Sequence, residues 1–346
     1  MIPFKRLPIG EDEKRAACEV IDSGFLSRGT KTIEFEKAFA EYVGAKYAVG
    51  LKSCAMSILI ALEAKGFGKY DVITIPSMTV PLVANMVIKL GATINFSDNV
   101  DWVGNEYEIK PCGIYDSAHQ VNRDQAKLRQ DDDIECFSFY PTKPITGIEG
   151  GMITTNNEEY ANYIRTSSMY GRVGLDKVKN SWEYAIKFPG WKENMTDMQA
   201  AIAHCQLNKL DGFNKTRAEI RDYYNKAFGL DNKSLYLFRI CVNNRDEFVK
   251  HMLDNGVECG VHFMPLHKMR AYDYCVFENR KLPKTDFVGE HTVSLPFHTF
   301  LEQKDLDYII KLTGDWHVKN QFSSTDLQDG EISQVLHRQS IGAGLR

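Results

Sequence analysis

Between residues 47 and 156, short apolar runs alternate with helical stretches, and this rhythm constrains the fold more than any other feature of the chain. YAVGLKS (47–53), VITIPS (72–77), TINFSD (93–98), GIYDSA (113–118), ECFSFY (135–140) and GMITTN (151–156) read as strands. AMSILIALEAKG and PLVANMVIKLG, the latter closed by Gly91, read as helices between them. Apolar strands alternating with helices predict a mostly parallel sheet covered on both faces. Helical spacing precedes it at 11–23 and 33–43, the second ending at Gly44. From Thr196 a long amphipathic stretch reads as a helix crossing from one domain to the next. SLYLFRICVN, RDEFVKHMLDNG, GVHFMPLH and QKDLDYIIKLTG then predict a smaller α+β unit. The expected division is a large domain over 1–208 with its N-terminal arm, a small domain over 209–316, and a polar, poorly ordered tail over 317–346.

The bulk properties narrow the partners. The 346 residues are 43% hydrophobic and 25% charged, with a net charge of −4. That balance does not favour nucleic acid or an anionic membrane, which select basic surfaces. The N-terminus MIPFKRLPIGEDEKRAA lacks the apolar core of a signal peptide, and no stretch approaches the ~20 apolar residues of a membrane span. The eight cysteines are scattered without a CxxC pair, as reduced thiols are. A cytoplasmic protein without structural zinc is expected. His262 and His267 in GVHFMPLH have poor metal-ligand spacing, so no metal site is expected.

In doubly wound sheets, ligands bind at the carboxyl ends of strands. Those ends carry Ser53 and Cys54 leading into a helix, the segment 76–79, Asp116 and His119, and Ser138 followed by Lys143. A lone lysine after a strand is most often a solvated residue. Its company changes that reading. Asp116 ends an apolar strand, where an unpaired carboxylate is costly. Ser53-Cys54-Ala55 opens a helix, whose free N–H groups suit a phosphate. An amine, a buried carboxylate and a helix start are the parts that pyridoxal 5'-phosphate (PLP) requires.

The chain resembles the DegT/DnrJ/StrS family of PLP-dependent nucleotide-sugar aminotransferases, which have the fold-type I, aspartate-aminotransferase-like architecture. The resemblance runs from MIPF to about residue 315. It is carried by SGFLSRGTKTIEFEKAFAEYVG (23–44), YDSAHQ (115–120), CFSFYPTKPITGIEGG (136–151), GWKENMTDMQAAIAHCQL (190–207), GVHFMPLH (260–267) and VSLPFHTFL (293–301), in the family's order. It implies that Lys143 is the Schiff-base lysine and the acid–base, that Asp116 lies under the pyridine nitrogen, and that His119 lies against the ring. It further implies that Ser138 and the start of the helix at Ser53, Cys54 and Ala55 hold the phosphate. Asn194 would reach that phosphate from a second subunit, which implies a homodimer with shared sites. Arg28, His262 and His267 are implied on the substrate side. The implied reaction moves an amino group from L-glutamate to a keto group of a nucleotide-linked sugar. The spelling GWKENMTD favours a 4-keto sugar; relatives acting on cyclitols also keep the lysine.

Three positions depart from the family pattern. Val80, in PSMTVPL, stands where the family has an aromatic on the pyridine ring. The phosphate loop reads Lys52-Ser53-Cys54 and has lost its glycine. Only NVDWVGNEYEIKPC lies between TINFSD and GIYDSA, where the family has a further strand–helix unit. The fold is therefore expected to be one such unit short, with the 72–77 strand pairing directly beside 113–117. These departures also motivate an alternative reading, a truncated, weakly active or inactive relative that binds or regulates.

Overall fold

The computed structural model describes residues 1–173, 184–274 and 281–319. The expected tail over 317–346 lies almost wholly outside the described residues. Helices α1 (Glu11–Ser23) and α2 (Thr30–Val43) precede β1 (Tyr47–Leu51), α3 (Cys54–Ala64), β2 (Val72–Pro76), α4 (Pro81–Leu90) and β3 (Thr93–Ser97). Strands β4 (Tyr107–Ile109), β5 (Ile114–Asp116), β6 (Ile134–Ser138) and β7 (Gly151–Thr155) follow, then α5 (Glu158–Ser168) and a two-residue ribbon of β8 (Arg172–Val173) and β9 (Ala185–Ile186). The remainder is α6 (Asp197–Phe228), β10 (Phe238–Cys241), α7 (Arg245–Asp254), α8 (Pro283–His291), β11 (Thr292–Leu295) and α9 (Gln303–Lys319).

Strands β1, β7, β6, β5 and β4 hydrogen-bond in that order, and β2 pairs with β3. Thr74 and Lys110 join the two sets through a pair of backbone hydrogen bonds of 2.8 and 3.0 Å. The resulting order is β3-β2-β4-β5-β6-β7-β1. Strands β4 and β7 run against the other five, so the sheet is mostly parallel by direction.

This corrects the expected closure of the sheet. The 72–77 strand does not pair beside 113–117, because β4 lies between them. No helix occurs between β3 and β5, so the covering helix is absent while its strand position is filled. A bare gap would have left the edges of β2 and β5 with unpaired N–H and C=O groups inside the protein, which is strongly unfavourable. Three antiparallel residues suffice because β5 is itself only three residues long.

Period-two alternation sorts the central strands onto two layers. Ile134 and Cys136 of β6 and Ile153 of β7 join the cluster built by α3 and α4. Phe137 and Met152 point the other way, against Phe35, Phe39 and Val43 of α2 and Ala203, Leu207 and Leu210 of α6. Every residue of β6 and β7 is buried, the carboxylate of Glu135 included. Helix α6 starts at a capping box between Thr196 and Gln199 and stops at Gly229 in the left-handed conformation. Its 32 residues span about 48 Å. Its second half carries Ile220, Tyr224 and Phe228 into a separate core with β10, β11, α7 and α9.

The short connection before β4 is pinned by charge. Glu106 accepts from Ser117 Oγ at 2.8 Å and from Gln125 Nε2 at 3.1 Å, and it pairs with Arg129. Arg129 also bonds Glu135 of β6, through Nε at 2.9 Å and Nη2 at 2.8 Å. Burial pushes the Glu135 carboxyl up, and Arg129 opposes that shift. Removing one partner of a buried pair leaves an uncompensated charge. Arg129→Met should therefore lower unfolding stability by about 3 kcal/mol at neutral pH. The penalty should shrink as pH falls toward about 5, because the folded state then protonates Glu135 more readily than the unfolded chain does. Urea melts of both proteins at two pH values check this; an equal penalty at both pH values would remove Glu135 as the cause.

Candidate active site

A cavity of about 320 Å³ opens at the carboxyl ends of β1, β5 and β6. Its floor is the start of α3. Ser53 is the N-cap, in extended backbone, and its Oγ accepts from Met56 N at 3.3 Å. Among the described residues, the N–H groups of Cys54 and Ala55 donate to no protein acceptor, as expected at the first turn of a helix. Both residues line the cavity. Gly151, at the start of β7, makes this possible: a Cβ there would meet the Ser53 carbonyl carbon at 2.5 Å and Cys54 N at 2.6 Å.

Asp116 ends β5 and is 5% exposed. Its Oδ1 accepts from Ala118 N at 3.0 Å. Burial pushes its carboxyl up, while the Ala118 N–H, the Lys143 ammonium and the Tyr107 hydroxyl pull it down. Lys143 stands half-buried on the turn after β6, its N–H bonded to Tyr140 O at 2.9 Å. Its Nζ lies 5.1 Å from the centre of the Tyr236 ring and forms no ion pair among the described residues. Ser138 ends β6 and faces the same cavity, and Val80 caps α4 on its wall.

His119 is 3% exposed and lines the cavity. Its Nδ1 accepts from Gly104 N at 3.2 Å, which places the proton of the neutral ring on Nε2. Burial first, then the charge of Lys143, pushes its pKa well down, so the ring is neutral near pH 7. His262 reaches the cavity from the connection before α8, with Nδ1 2.9 Å from Ser294 Oγ. Burial and the cations Lys5, Lys143 and Arg239 push its pKa down to about 3.

Thus Ser53, Cys54, Ala55, Val80, Asp116, His119, Ser138, Lys143 and His262 surround one space. Three other expected site residues do not line it. Arg28 pairs with the buried Glu36 at 2.9 Å, and Glu36 in turn accepts from Gly50 N at 2.9 Å. His267 is held between Ser77 Oγ at 2.7 Å and Asp286 Oδ1 at 3.0 Å. Ser77 is 0% exposed, so this relay ties the end of β2 to α8 and offers no nucleophile. Within one chain, neither Arg28 nor His267 faces the space a substrate would enter. Asn194 is buried, bridges Leu51, and bonds Lys192 and Met195 O. It does not line the cavity.

Sequence reasoning missed the aromatic wall. Trp102, Tyr236 and Phe263 line the cavity, and Tyr107 backs it. Only Trp102 carried a signal, a large aromatic in an otherwise polar connection. Among the described residues no group of His, Cys, Asp and Glu could hold a metal, and no helix is long and apolar enough to cross a membrane. The donor set fits PLP: two free helix N–H groups for a phosphate, a buried carboxylate that needs a cation, and an amine facing both across the space.

The family profile described as the DegT/DnrJ/EryC1/StrS aminotransferase family matches residues 8–116 and 114–313. The spore coat polysaccharide biosynthesis protein SpsC of Bacillus subtilis is 31% identical over 375 aligned positions, covering 91% of this chain and 96% of SpsC. The crystal structure of the aminotransferase TlmJ from Streptoalloteichus hindustanus superposes with a TM-score of 0.79 at 25% identity, covering 90% of this chain and 98% of TlmJ. The PLP form of Spr1654 from Streptococcus pneumoniae has the same fold, with a TM-score of 0.77 at 21% identity over 92% and 99% of the two chains. With the sheet, the cavity and its residues already in place, these likenesses lead to one conclusion: this chain, of fold-type I architecture, belongs to the DegT/DnrJ/EryC1/StrS family of PLP-dependent sugar aminotransferases.

Proposed function

We propose that this enzyme moves the amino group of L-glutamate to a keto group, in the first instance a 4-keto group, of a nucleotide-linked deoxysugar. The observation that carries this reading is the placement of Asp116 and Lys143 on one cavity floored by the free end of α3. Spellings at 136–151 and 190–207 support the substrate class.

When bound, PLP supplies an electron sink for carbanion chemistry. The chain's own residues do the rest. Cys54 and Ala55 N–H groups, with the hydroxyls of Ser53 and Ser138, bind the phosphate end. Asp116 stabilises positive charge on the pyridine nitrogen, and that cation relieves its own burial. Neutral His119 orients the ring without adding charge. Lys143 Nζ removes the α-proton of the amino donor and later returns a proton to the carbon that receives nitrogen. Donor and acceptor use one site in turn, so the kinetics are ping-pong. His262, neutral near pH 7, faces the substrate side. Asn194 completes the phosphate site of a second copy in a homodimer, and α6 joins a 1–208 domain to a 209–316 domain. A cytoplasmic setting accords with the free thiols of the described cysteines.

Two outcomes test the assignment. Purified protein mixed with PLP should develop a visible band that bleaches with L-glutamate, and Lys143→Ala should show neither while remaining folded. No band in the folded parent protein would favour a binding or regulatory relative instead. Asp116→Asn should keep the band and slow glutamate-dependent bleaching about 100-fold or more, in single-turnover stopped-flow traces. A bleaching rate within a few-fold of the parent would remove Asp116 from that role.

A further inference from the structure

The cavity presents an asymmetry. Val80 contributes only an isopropyl group to its wall. Trp102, on the shortened connection between β3 and β4, brings an indole to the same cavity while staying 5% exposed. That indole is held in one orientation. Its Nε1 donates to Met78 O at 3.2 Å, and its ring centre lies 4.4 Å from that of Tyr107. It is parallel to the His119 imidazole within 18°, at 5.2 Å, and to Phe263 within 13°, at 6.2 Å.

The backbone around it is fixed as firmly. Asn105 N donates to Trp102 O at 2.7 Å, and Arg239 Nη2 donates to Val100 O at 2.8 Å. Ser234 Oγ donates to Gly104 O at 2.7 Å. Gly104 sits at φ +102° with no room for a Cβ, which would meet Ser234 Oγ at 2.6 Å. The Gly104 N–H is also the donor that sets the His119 tautomer. Trp102 and His119 are therefore positioned together by one short loop.

A flat, electron-poor ring entering this cavity meets parallel aromatic rings. Electron-rich indole is the strongest partner for such a ring, through offset stacking and through the attraction of a cation to the indole face. We propose that Trp102 is a cofactor-positioning residue, the aromatic wall against which the pyridine ring of PLP is held, in the role that Val80 cannot fill. This rests on the assignment of Lys143 and Asp116 to that cofactor. It also gives the shortened connection a function: the segment that lost a helix delivers the indole.

The test is PLP binding to the whole chain, read by absorbance titration and by quenching of indole fluorescence. Trp102→Phe keeps a ring in the core and should bind PLP within about twofold of the parent, losing most of the cofactor-induced quench. Trp102→Leu, if folded, should bind about threefold to tenfold more weakly. Of the other tryptophans, Trp182 lies outside the described residues, while Trp191, 41% exposed, and Trp316, packed against Phe248, do not line the cavity. An unchanged quench in Trp102→Phe would overturn the inference, since it places the reporter elsewhere. Unchanged affinity in a folded Trp102→Leu would overturn it too. If the parent protein shows a Lys143-dependent band and these variants match it, only the Trp102 role falls. If the parent binds no PLP, both readings fall together.

Discussion

A carboxylate buried at the end of a central strand must meet a positive charge or be neutralised, and the site follows from how Asp116 is treated. Its strand is three residues long, with β4 on one side and β6 on the other, and water reaches little of it. One protein N–H and the field of Lys143 oppose the burial without cancelling it. What remains is a demand for a cation inside the cavity. On the proposed assignment a protonated pyridine nitrogen would meet it, while the start of α3 would hold the phosphate and Lys143 would move the proton.

The strand that supports Asp116 depends on an economical repair. The chain between β3 and β5 is too short for a strand and a helix, and it keeps the more important half. Backbone groups inside a sheet need partners more than a sheet face needs one particular helix, because unpaired buried N–H and C=O groups are unfavourable one by one. Strand β4 pairs with both neighbours. Glu106, Arg129 and Glu135 then lock the connection to β6, while Gly104 and Trp102 turn the same segment toward His119. The shortened connection, which motivated the reading of a weakly active relative, therefore brings Trp102 to the cavity.

Most of the site was legible because its residues lie next to strand ends. Lys143, Asp116, Ser138 and Ser53-Cys54-Ala55 each follow an apolar run, and a mostly parallel sheet gathers such ends at one edge. Arg28 and His267 were expected on the substrate side from the spelling around them, and within one chain both lie off the cavity. Ion pairing with Glu36 and the relay between Ser77 and Asp286 decide where those side chains point, and both involve residues far away in the chain. Tyr236 and Phe263 went unread for a related reason: their spelling suits a core strand or loop, and only packing against His119 makes them walls.

Local spacing and residue type alone determined the alternating strands and helices, the caps at Gly44 and Gly91, the long helix after Thr196, and the lysine after β6, because each rests on interactions within a few residues. The tertiary structure decided the filling of the sheet by β4, the neutral state of His119 and His262, the Gly151 contact that seats α3, and the arrival of Trp102 at the cavity. Hydrogen-bond satisfaction, desolvation and close packing set these, and all three depend on which distant segments meet, so they exist only once the chain has folded.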